Sequence, residues 1–126
     1  MSEKPFILVV DDDGPILALM RNLLKEFGFQ PLTADSGAKA IDAARQNRPA
    51  LVLLDKNMPG MTSDEVIRSL RGEPDGDKLP ILILSGERLT RADIAAIGAN
   101  DAVQKPFDVV ALIQQIRRYV NDGTSS

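Results

Sequence analysis

The feature that most constrains the fold is an alternation of short apolar runs with longer stretches of helical periodicity, repeated five times along the chain. The runs are rich in Val, Ile and Leu, and three of them show no polar alternation, which is typical of strands buried on both faces of a sheet. The stretches between them repeat apolar residues at three- and four-residue intervals, as amphipathic helices do. The pattern predicts an α/β protein with a parallel sheet covered by helices on both faces.

Element boundaries are marked by residues with known turn and cap preferences. Asp13, Ser36 and Thr90 are suited to helix N-caps, because their side-chain oxygens can accept a free backbone N–H. Gly28 and Gly98 are suited to ending the helices that precede them. The predicted strands are 6–10, 30–34, 50–54, 79–84 and 101–104.

Composition narrows the class of protein. A chain of 126 residues suits one domain with a buried core, and we expect a domain at 1–122 followed by a flexible tail at 123–126. With 18 acidic and 15 basic residues the net charge is -3, which disfavours binding to nucleic acid or an anionic membrane. No run approaches the ~20 apolar residues of a membrane span. Since a secretion signal is also missing, we expect a cytoplasmic protein.

Two residue types are missing altogether, Cys and His. Their absence excludes thiolate and imidazole metal sites and a phosphohistidine on this chain. There is also no Gly-x-x-x-x-Gly-Lys-Ser/Thr loop that would bind a nucleoside triphosphate. Any phosphoryl group used here must therefore come from another molecule.

Chemically active side chains follow four of the predicted strands. Asp11 and Asp12 follow the first strand, Asp55 the third, Ser85 the fourth and Lys105 the fifth. The carboxyl ends of parallel strands meet at one edge of the sheet, and ligands of α/β proteins bind there. We therefore expect these side chains to converge.

Carboxylates gathered at one edge repel each other, by about 4 kcal/mol for two at ~4 Å and an effective dielectric of ~20. Such a cluster takes up protons or binds a cation, and Mg²⁺ suits oxygen ligands beside a phosphate. Lys105 would neutralise a phosphoryl oxygen, and Ser85 would donate a hydrogen bond to another. A carboxylate can itself become an aspartyl phosphate. The set of groups predicts phosphoryl transfer to Asp by positioning and charge neutralisation.

Each group has an ordinary explanation when taken alone. Asp11 and Asp12 suit a solvated loop, Ser85 suits a strand end, and a single Lys105 suits a surface. Asp55 is harder to explain in this way, because five apolar residues precede it. A carboxylate at the end of a buried strand needs a partner.

Four segments resemble, in order and at familiar spacing, the motifs of receiver domains of two-component response regulators. They are the acidic motif at 7–13, the acceptor loop at 51–61, the switch-hydroxyl strand at 80–86 and Lys-Pro-Phe at 105–107. The resemblance covers essentially the whole chain. It implies a flavodoxin-like fold with strand order 2-1-3-4-5.

The resemblance also implies a role for each residue of the site. Asp55 would be the phosphoacceptor, Ser85 the switch hydroxyl and Lys105 the cation that binds the phosphoryl group. Asn57 and Glu87 would tune the lifetime of that group. The implied donor is the phosphohistidine of a histidine kinase or histidine phosphotransfer protein, and the implied output is docking to a downstream protein. Catalysis would be limited to the chain's own phosphorylation and dephosphorylation.

The implied cofactor is Mg²⁺. Asp12, Asp55 and the backbone carbonyl of Asn57 would bind it directly, and Asp11 would act through a water molecule. The resemblance further implies a cis Lys105–Pro106 peptide bond.

This chain departs from the family pattern at three places. Ala102 stands where an aromatic residue is common, so we expect signalling without movement of a ring there. Lys56 follows the acceptor, where an apolar residue is usual, and 62–63 is Thr-Ser instead of Asp-Gly.

An enzyme of the haloacid-dehalogenase type is the alternative, with Asp11 as the nucleophile of an Asp-x-Asp motif. Against it, no acidic pair ends a further apolar strand after Lys105, and Asp55 would have no role. A receiver-shaped interaction module that is never phosphorylated is a third class.

Overall fold

The computed structural model describes residues 4–120, which form a five-stranded parallel sheet with helices on both sides. The strands are β1 Phe6–Val10, β2 Gln30–Ala34, β3 Leu51–Asp55, β4 Ile81–Ser85 and β5 Asp101–Gln104. Their order in the sheet is β2-β1-β3-β4-β5, and every neighbouring pair is parallel. The α/β class and the flavodoxin-like strand order expected from the sequence are confirmed.

The helices alternate with the strands. They are α1 Gly14–Glu26, α2 Gly37–Asn47, α3 Ser63–Arg71, α4 Arg91–Ile97 and α5 Val109–Val120, with one 3₁₀ turn at Gly76–Lys78.

The predicted caps lie at the helix ends. Asp13, Ser36 and Thr90 each accept a backbone N–H at the start of α1, α2 and α4. Gly28 and Gly98 follow α1 and α4 with φ of 91° and 94°, a conformation that favours glycine.

Two apolar layers, one on each face of the sheet, explain the unbroken hydrophobic runs. Ile7 and Val9 of β1 pack with α1 and α5, whereas Leu8 and Val10 pack with α2 and α3. Successive side chains of a strand point to opposite faces, so a strand covered on both sides has no position for a polar residue. Polar residues therefore appear where the strands end.

The edge of the sheet at the strands' amino ends is held by Arg71, the last residue of α3. Its guanidinium donates to the carbonyls of Gly76, Leu79 and Gly98 and to Asn100 Oδ1. The Gly76, Gly98 and Asn100 contacts measure 2.9, 3.0 and 2.9 Å. Arg71 thus ties the end of α3 to the approach to β4 and to the end of α4. No sequence pattern predicts this role of Arg71, since a basic residue in the last turn is common in helices.

The predicted domain of 1–122 and tail of 123–126 extend beyond the described residues at both ends. Within residues 4–120, no helix is both long enough and apolar enough to span a bilayer.

Candidate functional site

Parallel pairing brings the polar strand ends to one edge of the sheet. Asp11 directly follows β1, Asp55 ends β3, Ser85 ends β4 and Lys105 directly follows β5. The N–H of Lys105 donates to the carbonyl of Ser85 at 2.8 Å, so β4 still holds the chain where Lys105 begins. This backbone contact fixes the start of the Lys105 side chain.

Lys105 bridges two buried carboxylates. Its Nζ lies 3.2 Å from Asp11 Oδ2 and 3.2 Å from Asp55 Oδ1. Asp11 is 1% exposed and Asp55 8% exposed, so both depend on a partner inside the protein. The other oxygen of Asp11 accepts the N–H of Asp13 at 3.0 Å.

The pKa of Asp55 indicates that the negative charge at this carboxyl is only partly compensated. Burial raises the pKa of the Asp55 carboxyl above its ordinary value, and the charge of Asp11 raises it further. The hydrogen bond and charge of Lys105 and the N–H of Asn57 act in the opposite direction without cancelling the rise. Burial would lower the pKa of Lys105, but its hydrogen bonds with Asp11 and Asp55 outweigh burial and raise it. Lys105 therefore stays charged at neutral pH.

The donor set suits a hard divalent cation. Asp11, Asp12 and Asp55 each offer a carboxylate oxygen, and these oxygens lie within 4.8 Å of one another. Asp12 is exposed while the other two are buried, so the cluster opens to solvent on one side. Since one ammonium faces three carboxylates, a divalent cation would neutralise the excess charge, and its oxygen ligands fit Mg²⁺.

Ser85 and Glu87 make contacts that the sequence did not predict. Ser85 Oγ accepts the backbone N–H of Glu87 at 3.0 Å, and Ser85 is 1% exposed. The Glu87 carboxylate pairs with Lys56, with 3.3 Å between Oε1 and Nζ. Asn57 and Glu87 are both exposed. Lys56, which directly follows Asp55, is the member of this ion pair that departs from the family pattern.

Two further expectations concern the surroundings of β5. The Lys105–Pro106 bond is cis, as the resemblance implied. Ala102 pairs with Ile83 of β4, and its carbonyl accepts a hydrogen bond from Gln115 Nε2 at 3.1 Å.

A doubly covered parallel sheet with polar side chains gathered at its carboxyl edge is typical of α/β domains that bind ligands beyond the carboxyl ends of their strands. Comparisons agree with this class. The model of the response regulator receiver domain family matches residues 7–117. The chain therefore belongs to the response regulator receiver domain family.

Individual relatives are consistent with this assignment. The transcriptional regulatory protein PrrA of Mycobacterium tuberculosis is 37% identical over 98% of this chain and 54% of its own length. This chain thus spans about half the length of the curated relatives it matches. Chemotaxis response regulator CheY4 of Vibrio cholerae is 29% identical, with a TM-score of 0.85 over 92% of this chain and 98% of CheY4.

The receiver domain of the sensor histidine kinase PA1611 from Pseudomonas aeruginosa is similar in fold. It is 24% identical, with a TM-score of 0.85 over 94% of this chain and 98% of that domain.

Family membership supports the first of the classes considered above. Receiver domains of two-component response regulators are phosphorylated on an aspartate, bind Mg²⁺ at an acidic pocket and work with sensor kinases. They are not enzymes of the classical kind. The dehalogenase-type alternative with Asp11 as nucleophile has no support from the comparisons.

Proposed function

We propose that the chain accepts a phosphoryl group on Asp55 from the phosphohistidine of a histidine kinase or histidine phosphotransfer protein. Phosphorylation then controls docking to a downstream protein. The observation that carries this proposal is the Lys105 ammonium, which is shared between the buried carboxylates of Asp11 and Asp55.

The structure favours Asp55 over the two neighbouring acids as the acceptor. Asp11 is 1% exposed, so a donor has almost no access to its carboxylate. Asp12 is exposed and solvated. Asp55 lies at the end of a central strand and is 8% exposed, so it combines a dry environment with access for a donor.

The transfer forms one bond and breaks one. A carboxylate oxygen of Asp55 attacks the phosphorus atom, the nitrogen–phosphorus bond of the donor breaks, and the imidazole nitrogen leaves with the bonding electrons. Lys105 neutralises negative charge on the transferring phosphoryl group, which is the main contribution a protein makes to this reaction. Because the pKa of Lys105 is raised, this charge is present at neutral pH.

Mg²⁺ would be held by Asp12, Asp55 and the backbone carbonyl of Asn57 directly, and by Asp11 through water. When bound, it neutralises phosphoryl oxygens that Lys105 does not reach. The spacing of the three carboxylates supports this assignment. The structure of the PA1611 receiver domain has a magnesium ion coordinated in its active site cleft.

The remaining site residues act after transfer. The Ser85 hydroxyl turns its proton to a phosphoryl oxygen and thereby changes its contact with the N–H of Glu87. Asn57 and Glu87, both exposed beside the acceptor, control how water reaches the aspartyl phosphate. The chain thus promotes its own dephosphorylation as well as its phosphorylation.

The test is labelling with acetyl phosphate and Mg²⁺, read by intact mass and a phosphate-affinity gel. We expect one phosphoryl group per wild-type chain and none on Asp55→Ala. The matched control is Asp35→Ala, which should label like the wild type, because Asp35 is an exposed acid whose ion pair within residues 4–120 is with Lys39 of α2. Full labelling of Asp55→Ala, or a labelled Asp11 in the wild type, would contradict the assignment.

A further inference from the structure

Lys56 lies between the acceptor and the loop that follows β4. Its backbone N–H donates to the carbonyl of Leu84 at 2.9 Å, so the pairing of β3 with β4 continues one residue past Asp55. Its side chain then crosses to Glu87, where Nζ lies 3.3 Å from Oε1. The Lys56 side chain is 28% exposed and that of Glu87 is 71% exposed. Lys56 is therefore the more buried member of this ion pair, and Glu87 on the loop is the more exposed one.

Glu87 is held at a second point by the hydroxyl of Ser85. Its backbone N–H donates to Ser85 Oγ at 3.0 Å. Both contacts of Glu87 thus come from residues next to the site, one from the neighbour of Asp55 and one from the switch hydroxyl. If the Ser85 hydroxyl rotates towards a phosphoryl oxygen, its hydrogen bond with the N–H of Glu87 changes. The ion pair with Lys56 is then the remaining contact that positions Glu87.

The helix that follows this loop, α4, buries none of its residues. The position of its first turn therefore depends on contacts made by the loop. Lys56, Glu87, Arg88, Asp93 and Ile97 are among the residues that border one hollow between the acceptor loop and α4. Asp93 belongs to the first turn of α4, and hydrogen bonds with Thr90, together with the charge of Lys56, lower the pKa of its carboxyl. The charge of Lys56 therefore attracts the loop and the start of α4 towards the acceptor.

We propose that Lys56 is a positioning residue whose ion pair with Glu87 stabilises the unphosphorylated arrangement of the loop between β4 and α4. The inference rests on the proposed phosphorylation of Asp55. A phosphoryl group on the preceding residue competes with Glu87 for the ammonium, since Coulomb attraction rises with charge and falls with distance. The pair weakens, and the loop and α4 are released together.

Only a difference between the two states can shift the equilibrium between them. An exposed ion pair contributes little to the stability of the fold. Its loss on phosphorylation nevertheless changes the relative stability of the two states of the loop. A double-mutant cycle measures this difference directly when the quantity followed is affinity for a phosphoryl mimic.

The cycle uses Lys56→Gln, Glu87→Gln and the double variant, with affinity for beryllofluoride in the presence of Mg²⁺ measured by titration calorimetry. Glu87→Gln should bind the mimic about two- to fivefold more tightly than the wild type, the range that one exposed pair permits. Glu87→Gln should not change this affinity when residue 56 is Gln. It should raise the affinity again when residue 56 is Arg, because Arg restores the positive charge. Two results would overturn the proposal. Glu87→Gln could change the affinity for beryllofluoride equally whether residue 56 is Lys or Gln, or it could weaken that affinity only when residue 56 is Lys.

The matched control is the ion pair of Arg45 with Glu73, which has 2.8 Å between Nε and Oε2. It joins the end of α2 to the segment after α3, at the edge of the sheet opposite the acceptor. Its cycle should show no coupling in beryllofluoride affinity. If the wild type fails to bind the mimic, or Asp55→Asn binds it equally well, the proposed function fails. Normal binding without coupling between residues 56 and 87 refutes the ion-pair proposal alone.

Discussion

At the scale of single residues, Asp55 as the proposed acceptor has to satisfy two opposing requirements. Burial and the charge of Asp11 favour its protonated form, but only the carboxylate can attack phosphorus. Lys105 reconciles the two, because its ammonium contacts both carboxylates and remains charged. The charged form of Asp55 that the proposed transfer requires is therefore held at a cost in stability.

The first prediction follows from the raised pKa of Asp55. A carboxyl group with a folded pKa above its unfolded value stabilises the fold in its protonated form, and this contribution is lost as pH rises through the folded pKa. Since Asn does not titrate, Asp55→Asn should raise the free energy of unfolding at neutral pH. Its advantage should shrink in acid and end below the ordinary Asp pKa of about 3.9.

Thermal melts from acidic to neutral pH test this expectation, and a gain of 1 kcal/mol corresponds to roughly 4 °C in Tm for a domain of this size. Asp35→Asn, at an exposed position, serves as the control and should change little. A lower Tm of Asp55→Asn at neutral pH would show that its contact with Lys105 outweighs burial and repulsion.

The second prediction concerns the metal. Mg²⁺ should raise the Tm of the wild type, because a ligand that binds only the folded state stabilises it by about 2.7 kcal/mol at a concentration 100 times its Kd. Removing Mg²⁺ with a chelator should reverse the gain. Asp12→Asn should reduce the shift, since one oxygen of the cluster then loses its charge.

Asp13→Asn is the control for the metal experiment. Asp13 lies outside the cluster of acidic ligands and caps α1, a role that Asn fills equally well. It should keep the full Mg²⁺ shift. If Asp12→Asn keeps the full shift as well, Asp12 is not a ligand.

At the scale of the elements, the two edges of the sheet differ in how they are held. The carboxyl edge carries the acidic cluster and a loop fixed by side-chain contacts. The amino edge is held by Arg71, which donates to three carbonyls and to Asn100. Asn100 Oδ1 also accepts the N–H of Ile81 at 2.8 Å, so one network joins α3, α4 and the start of β4. The end of α4 is thereby anchored, while its beginning depends on the loop.

The third prediction tests this anchor. Arg71→Met should lower the free energy of unfolding by about 2 kcal/mol, the usual cost of losing hydrogen bonds from a charged group to partly buried acceptors. Arg68→Met on the same helix is the control. Its side chain is 76% exposed and lies 3.9 Å from Asp64, so the change should stay within about 0.5 kcal/mol. Urea unfolding measures both, and equal losses would show that the Arg71 network adds no stability.

At the scale of the whole molecule, the proposed phosphorylation of Asp55 has to alter a surface to which a partner protein binds. Ala102 of β5 has no ring to move between buried and exposed positions. The loop from Gly86 to Thr90 instead connects Ser85 directly with α4. A helix without buried residues has low local stability and can shift with its loop.

The fourth prediction is that beryllofluoride with Mg²⁺ changes amide chemical shifts in the loops of the site, in α4 and in β5. The change should come from backbone movement of 86–90, because Gly86 leaves this loop permissive. The same titration of Asp55→Asn is the control and should leave the spectrum unchanged. Changes confined to the site loops, with α4 silent, would exclude this surface as the output.

Much of the fold could be predicted because its signals are local. Apolar runs specify strands covered on both faces, and side-chain oxygens before apolar stretches specify the caps Asp13, Ser36 and Thr90. Strand boundaries were less well predicted. β3 and β4 each extend one residue beyond the predicted carboxyl end, to Asp55 and Ser85. Pairing with the neighbouring strand continues past the apolar run there.

The sequence by itself determined which side chains belong to the acidic site, since each follows a strand and parallel strands end at one edge. Only the tertiary structure decided how they pair. Lys105 meets Asp11 across 94 positions of the chain and Asp55 across 50, and Lys56 meets Glu87 across 31. Hydrophobic period and turn chemistry act over a few neighbouring residues. Contacts between distant side chains depend instead on strand register and on the packing of the helices.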